Sequence, residues 1–430
     1  MNRIIIGLLI SVFSIPVVQA GITPEDIEEA ADAVQPQVVE WRSWFHENPE
    51  LSNREFNTSA KIVEILKDMG LEPQAGIAHT GVIAIIEGGL PGPLVAIRTD
   101  IDGLPVVEQT GLPFASTARS EYNGQDVGVM HACGHDAHMS MVLGAAKILN
   151  DHKAELPGSV MLIFQPAEEG PPNGEDGGAS MMLDEGIFDD RMPAAVFGMH
   201  VGISIPGGQF AVKPGPMMAA SDSFKITVRG KQTHGARPWD GVDPVVISSQ
   251  IVMGLQTIAS RQVDVTLAPS IISIGRISGG VRYNVIPDKV DMEGTIRTFD
   301  ADMRDYIHAA IEKTARSIAE GSGAEIDFEV SLGAPAVQND ADLTSFIIPS
   351  LERASGKPVL SIQPQTVAED FAEYGRVAPA VFVFLGNWPE ELNPTEQPTN
   401  HSPFFNMHEP YLETGVKGFS NMVVDFLKSQ

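Results

Sequence analysis

The chain is short of three things, and each shortage removes a class of protein. Its 430 residues contain a single cysteine, Cys133, so no intrachain disulfide can form, and that residue is either buried and inert or used in chemistry. Basic residues number 28 against 56 acidic ones; the resulting net charge of -28 repels nucleic acid and anionic membranes. After residue 20 no apolar run is long enough for a bilayer span. Neither G-x-S-x-G nor H-E-x-x-H occurs, which leaves serine-elbow and thermolysin-type chemistry without a sequence basis.

What is present is an apolar content of 43%, enough for a packed core. The length points to two domains. Residues 1–20 carry Arg3, an apolar stretch and the small-residue ending Val18-Gln19-Ala20, the pattern of a signal peptide. The expected product is exported, periplasmic or secreted, and free of the membrane after cleavage.

Helical spacing runs over 24–45, opened by Thr23, Pro24 and Glu25, and over 58–69, closed by Gly70. Apolar runs at 82–86, 94–97, 160–164 and 195–198 are expected to be buried parallel strands. Asp100 and Asp102 follow the second, Glu168 and Glu169 the third, and His200 the fourth, where an open α/β sheet binds its ligands. From 223 the order becomes strand 224–229, helix 244–261, strands 270–277 and 289–297, helix 301–320 and strand 324–330, a ferredoxin-like β-α-β-β-α-β unit. A buried strand at 381–385 then resumes the first pattern. The expected architecture is α/β: a discontinuous catalytic domain, 21–216 plus 333–430, with a mixed sheet and helices on both faces, and an inserted α+β lid or dimerisation domain at 217–332.

The stretch "MHACGHDAH" places Cys133 within five residues of His131, His135 and His138. Thiolate, imidazole and the nearby carboxylates suit zinc or a similar divalent cation. Cys133 with His135 as a cysteine hydrolase is the competing chemistry, but it leaves Glu169, His200 and His401 without a role.

The motifs "RTDIDGLP", "MHACGHDAH", "PAEEG", "FGMH", "GARP" after His234, "YNVIPD", "GTIRTFD" and "NHSPFF" occur in an order that resembles the M20 family of metallopeptidases. The likeness is strongest to its amidohydrolase branch, the N-acyl-amino-acid, hippurate and auxin-conjugate hydrolases. The resemblance implies two divalent ions, zinc or manganese with cobalt or nickel as alternatives, held by Cys133, His135, Glu169, His200 and His401. It makes Glu168 the general base, gives His234 a carbonyl-polarising role in its own or a partner's site, and lets Asn284 and Arg297 hold the substrate carboxylate. Asp100 and Asp102 would orient ligand histidines from behind, with His131, Asp136 and His138 near them. The implied substrate is an N-acyl or N-aroyl amino acid; a dipeptidase or carboxypeptidase of the same family is the alternative, and a silent binding protein the alternative of another class. A homodimer through the inserted domain is possible on the same resemblance. Two departures stand out: the longer loop "PPNGEDGGA" after "PAEEG", and Ala368 in "AEDF" where serine is more usual.

Overall fold

The computed structural model describes residues 21–389, 391–393 and 397–430. The expected signal peptide, 1–20, lies outside the described residues. The main sheet has eight strands in the order Gln74–Ile77, Gly81–Glu87, Pro157–Gln165, Leu90–Asp100, Ala195–Pro206, Ala380–Trp388, Phe210–Val212, Leu360–Ser361. It is mixed, as the alternating pattern predicts. Leu90–Asp100 runs parallel to both neighbours, with Val95 opposite Val160 and Ile97 opposite Phe197. Ala380–Trp388 is parallel to Ala195–Pro206, placing Phe384 beside His200.

The strand at 82–86 corrects the reading of its apolar run. Gly81–Glu87 is antiparallel to Pro157–Gln165, Ala84 facing Leu162. Only Gly88 and Gly89 separate it from the next strand, so the chain reverses there, and the strand 157–165 enters between the two. A Cβ on Gly88 would lie 2.0 Å from the Gly158 carbonyl oxygen. Continuous apolarity reports burial, which is the same for either direction.

Thr23 caps the helix Pro24–Glu47, its hydroxyl accepting from the Asp26 amide while the Asp26 carboxylate accepts from the Thr23 amide. That helix, His135–Asp151 and Pro410–Ser429 pack on one another. The middle helix is buried on every side from His135 to Ala146, so it is apolar or satisfied all round, unlike an amphipathic surface helix.

A second, wholly antiparallel sheet has the order Ser270–Gly279, Lys289–Thr298, Ala220–Arg229, Glu325–Leu332. Helices Pro244–Arg261 and Ala301–Gly321, capped by Asp243 and Asp300, pack on it around Phe224, Ile226, Leu255, Met292, Ile307 and Ile311. This core is separate from the main one. Where the chain enters and leaves this unit, Asp222 accepts from Arg304 Nε and Nη2 at 2.8 and 2.6 Å, from His308 at 2.8 Å and from the Gly333 amide at 3.1 Å.

The consequence for the site is directional. Three parallel strands, Leu90–Asp100, Pro157–Gln165 and Ala195–Pro206, bring their carboxyl-terminal halves to one edge of the main sheet. His200 lies inside its strand, which runs on to Pro206, instead of just beyond it.

Candidate metal centre

Cys133 and His135 flank Gly134, whose φ of 103° is left-handed and starts the helix His135–Asp151 without a side-chain cap. The reversal turns both side chains the same way. A Cβ on Gly134 would meet Val201 Cγ2 at 2.4 Å, so the position is closed to any other residue on two counts. Two further ligating or flanking positions take positive φ without being glycine: Ala167, at 53°, aims the Glu168-Glu169 pair, and His401 is at 68°. Such conformations cost about 1–3 kcal/mol and persist where the surroundings hold them. The Ala167 amide donates to Glu55 at 3.0 Å, and the His401 amide to the Ala132 carbonyl at 2.8 Å.

The hydrogen-bond partners of the imidazoles fix their tautomers. His135 Nδ1 lies 2.8 Å from the Asp102 carbonyl oxygen, which can only accept, so Nδ1 carries a proton and Nε2 is the nitrogen left facing the cluster. Asp102 Oδ1, 3.2 Å away, adds to that hold. His200 Nδ1 donates to the Val201 carbonyl at 2.9 Å, which frees its Nε2 as well. His138 is the opposite case: its Nε2 accepts from the Val201 amide at 2.9 Å and its Nδ1 donates to Asp100 at 2.7 Å, so neither nitrogen remains for an ion. Asp100 therefore orients His138, and Asp102 orients His135.

The free donor atoms converge. Cys133 Sγ is 3.3 Å from His200 Nε2 and 3.3 Å from His401 Nε2. His401 Nε2 is also 3.2 Å from Glu169 Oε1. The donor atoms of Cys133, His135 and His200 lie within 4.8 Å of one another, as do those of Cys133, Glu169 and His401, and those of His135, Glu168 and Glu169. Cys133 is common to the first two groups. His135 Nε2 is buried with no hydrogen-bond partner among the described residues. A buried orphaned nitrogen, a thiol and carboxylates of one small cluster match the donor chemistry of borderline divalent cations.

The electrostatics point the same way. Burial, then repulsion from Glu169 and Glu168, pushes the Cys133 thiol well above its ordinary value, so it ionises only against added positive charge. Burial, followed by Glu369 and Glu169, likewise raises the Glu168 carboxyl well above the usual range. Burial, helped by His135 and His46, outweighs Asp136 and Asp102 and drops His131 to about 4, so it is a neutral, buried ring.

Asp136 is not a helix cap. It accepts from Arg42 Nε and from His46 Nδ1, both at 2.8 Å, tying the metal loop to the first helix. Arg297 lines a cleft of about 1080 Å³ that Glu168 and Glu169 also border. His234 and Asn284 are elsewhere. They meet at the paired strands Thr233–His234 and Val285–Ile286, where the Gly235 amide donates to the Asn284 carbonyl at 2.8 Å, and neither lines the cavities beside the ligands. The "PPNGEDGGA" loop is fastened by Glu175, which pairs with Arg54 at 2.6 and 3.0 Å and with Asn53 at 3.1 Å. Ala368 borders both cavities next to Glu168.

Sequence reasoning missed several supports. Arg98 is fully buried and bridges Asp100, Glu369 and Asp370 at 2.9, 3.0 and 2.9 Å. Ser52 donates to Asp102 at 2.7 Å, and Asn400 to the Cys133 carbonyl at 2.9 Å. Arg98 lies in "RTDIDGLP", Glu369 and Asp370 lie in "AEDF", and Asn400 opens "NHSPFF", but nothing local in those motifs links one support to another.

Known proteins resemble this chain in sequence and in fold. The profile described as Peptidase family M20/M25/M40 matches residues 96–425. The chain is 38% identical over 406 residues to the N-acetylcysteine deacetylase of Bacillus subtilis (strain 168), covering 93% of this chain and 99% of that protein. It is 37% identical over 405 residues to thermostable carboxypeptidase 1 of Saccharolobus solfataricus, covering 94% and 98%. Among solved structures, the YXEP protein of Bacillus subtilis, described as a dinuclear metal binding peptidase from the M20 family, superposes with a TM-score of 0.78 at 35% identity over 93% of this chain and 99% of that one. The chain belongs to the M20/M25/M40 peptidase family and is a hydrolase of carbon–nitrogen bonds.

Proposed function

We propose that this protein is an exported, metal-dependent amidohydrolase that splits N-acyl or N-aroyl amino acids into a carboxylic acid and a free amino acid. The observation that carries the reading is Cys133 Sγ at 3.3 Å from two histidine nitrogens contributed by distant parts of the chain, with the Glu168 carboxyl bordering the same cavity.

Cys133, His135, Glu169, His200 and His401 would hold two divalent cations, zinc or manganese being the favoured pair and cobalt or nickel also suiting the donors. Bound cations of this kind supply acidified water and a polarised amide carbonyl. Glu168, which is not needed as a ligand, takes the proton from the attacking water and returns it to the amide nitrogen as the carbon–nitrogen bond breaks. One water is consumed; its oxygen ends in the acid product and its hydrogens are shared between the two products. Asp102 keeps the His135 tautomer fixed throughout. Arg297, which donates only to Thr295 Oγ1 and the Ile296 carbonyl among the described residues, is available for the substrate's carboxylate.

His234 and Asn284 fit this scheme through a second copy of the chain. The inserted unit exposes Trp239 (75%), Met253 (71%), Val265 (65%) and Leu267 (64%), apolar surface with no folding reason to face water. Burying it in a homodimer is the reading that gives His234 access to a partner's site.

The relative named as a deacetylase supports acyl substrates, and the one named as a carboxypeptidase supports the second reading, peptide hydrolysis with the same carboxylate clamp. The test is release of free amino acid from a panel of N-acyl amino acids, N-aroyl amino acids and dipeptides by mature protein, chelated and then resupplied with zinc or manganese. Turnover restored by metal on the acyl members supports the proposal; turnover of dipeptides alone moves it to the second reading; no turnover of any member rejects both.

A further inference from the structure

Two cavities meet at Glu168 and Glu169, and they differ in chemistry. The larger cleft, about 1080 Å³, is bordered by Arg297, Arg304 and Arg376. Arg304 is committed to Asp222 and Arg376 to Glu373, which leaves Arg297 as the arginine there without an acidic partner among the described residues. The smaller chamber, about 480 Å³, opens onto Cys133, His200 and His401 and has no lysine or arginine among its described lining residues. Its lining includes Ile205, Met218, Ile362, Val367 and Phe384, with Ser204, Gln363, Gln365 and Asn400 as uncharged polar neighbours. An anion placed there would face Glu168 and Glu369 with no cation beyond the metal cluster.

Val367 is the informative residue. It is 59% exposed, so its apolar character does not serve the core. The backbone that carries it is nonetheless fixed: the Ala219 amide donates to the Val367 and Gln365 carbonyls at 3.0 and 3.1 Å, and the Gln365 amide to the Met217 carbonyl at 2.8 Å. A held segment that presents an exposed hydrophobe over a reactive centre has the form of a binding wall. An acetyl group would leave most of this chamber to water.

We propose that the smaller chamber is the acyl subsite and that it selects bulky apolar acyl groups, of phenylacetyl or hexanoyl size, over acetyl, with Val367 and Ile362 as specificity-determining residues. This rests on the amidohydrolase reading above. The amide lies between the two cavities, its acyl side against the apolar wall and the amino acid's carboxylate in the arginine-lined cleft. The chain would then differ in preference from its relative named for N-acetylcysteine. Each methylene added to the acyl group, up to the size of the chamber, should raise kcat/KM about threefold to fourfold.

The experiment uses two substrate series with metal-loaded full-length mature protein. One holds the amino acid constant and varies the acyl group through acetyl, butanoyl, hexanoyl, benzoyl and phenylacetyl; the other holds the acyl group constant and varies the amino-acid side chain. The expected result is a rise of at least about eightyfold in kcat/KM from acetyl to hexanoyl, four methylenes longer. Val367→Asp should reduce the hexanoyl-to-acetyl ratio at least tenfold, without reducing the preferences in the side-chain series. Tighter binding of phenylacetate than of acetate to the loaded protein, by calorimetry, gives the same answer without turnover. Turnover in which acetyl is preferred, or in which Val367→Asp alters the side-chain series instead, overturns the assignment and leaves the amidohydrolase reading standing. Absence of turnover throughout both series, with metal bound, overturns that reading and this one together.

Discussion

Cys133 Sγ lies 3.3 Å from His401 Nε2, across 268 positions of sequence. The contact joins the loop before the helix His135–Asp151 to a loop near the end of the chain, and both loops are tied down: the Asn400 side-chain amide donates to the Cys133 carbonyl, and the His401 amide, at a positive φ, to the Ala132 carbonyl. A thiol at the centre of two donor groups, one with His135 and His200 and one with Glu169 and His401, is the feature around which the rest is arranged. Replacing it by serine removes the soft donor common to both. Cys133→Ser is expected to lower metal affinity by more than tenfold, read by metal content after dialysis against a weak chelator; unchanged content would remove the residue from the ligand set.

Glu168→Gln keeps the shape of the side chain and removes its capacity to take a proton. Turnover should fall by about 10²–10⁴-fold while metal content stays at the wild-type level. A rate within tenfold of wild type would assign the base to another group. Asp102→Ala should behave in the reverse manner: it keeps the carbonyl that holds His135 Nδ1 but removes the Oδ1 contact at 3.2 Å, and metal affinity should fall about tenfold.

The candidate ligands were legible for different reasons: Glu169 follows a strongly apolar strand and His200 lies within one, Cys133 and His135 combine thiol and imidazole in one short motif, His401 lies in a loop beyond the strand Ala380–Trp388, and the resemblance joined them into one set. Their supports were not. Arg98, Glu369 and Asp370 come from opposite ends of the chain, so no local pattern connects them. The left-handed backbone at Ala167 and His401 is imposed by tertiary contacts, and neither residue type announces it. The direction of Gly81–Glu87 also escaped, since burial is indifferent to strand polarity. The elements of the second sheet were easier, its two helices being set off from the strands by a change of hydrophobic period from 2 to 3.6.

Gly134 and Gly356 provide a paired test of the metal loop. Both have positive φ, 103° and 63°, but a Cβ on Gly134 meets Val201 at 2.4 Å whereas Gly356 has open space around it. Alanine at Gly356 should cost only the backbone term, about 1 kcal/mol. Alanine at Gly134 should cost more than that and lower metal affinity as well. Equal shifts in melting temperature for the two variants, with metal content unchanged, would show that the Gly134 turn is not what sets the ligands.

The carboxylate at the entry to the second sheet gives a pH signature. Burial raises the Asp222 carboxyl, but the hydrogen bonds and charge of Arg304, with Gly333 and His308, outweigh it and hold the group below its ordinary value. The folded form thus binds fewer protons than the unfolded one near the ordinary carboxyl range. The stabilisation is present above about pH 4 and is lost as pH falls through the lowered folded value. Asp222→Ala is expected to cost about 3 kcal/mol near neutrality by leaving Arg304 without its partner. Thermal melts of both proteins from pH 7 down to 3 should converge at the acid end; a constant gap would contradict the assignment.

Arg54 and Glu175 fasten the long loop that borders the large cleft. Both are substantially exposed, 47% and 34% by side chain, so water screens the pair and it contributes little to stability. Glu175→Ala should leave the melting temperature within a few degrees of wild type. Its effect should be on KM, by several-fold, because the loop lines the cleft assigned to the amino-acid end of the substrate. Unchanged kinetics would show that the loop is remote from bound substrate.

The proposed centre holds two divalent ions, gathered by Cys133, His135, Glu169, His200 and His401. Its most direct test is a titration of chelator-stripped mature protein with zinc or manganese, following release of free amino acid from an N-acyl substrate together with metal bound per chain. The account predicts negligible activity in the stripped protein and a rise that levels off near two equivalents. Full activity in the stripped protein, or a plateau reached at one equivalent with no second ion bound, would contradict it.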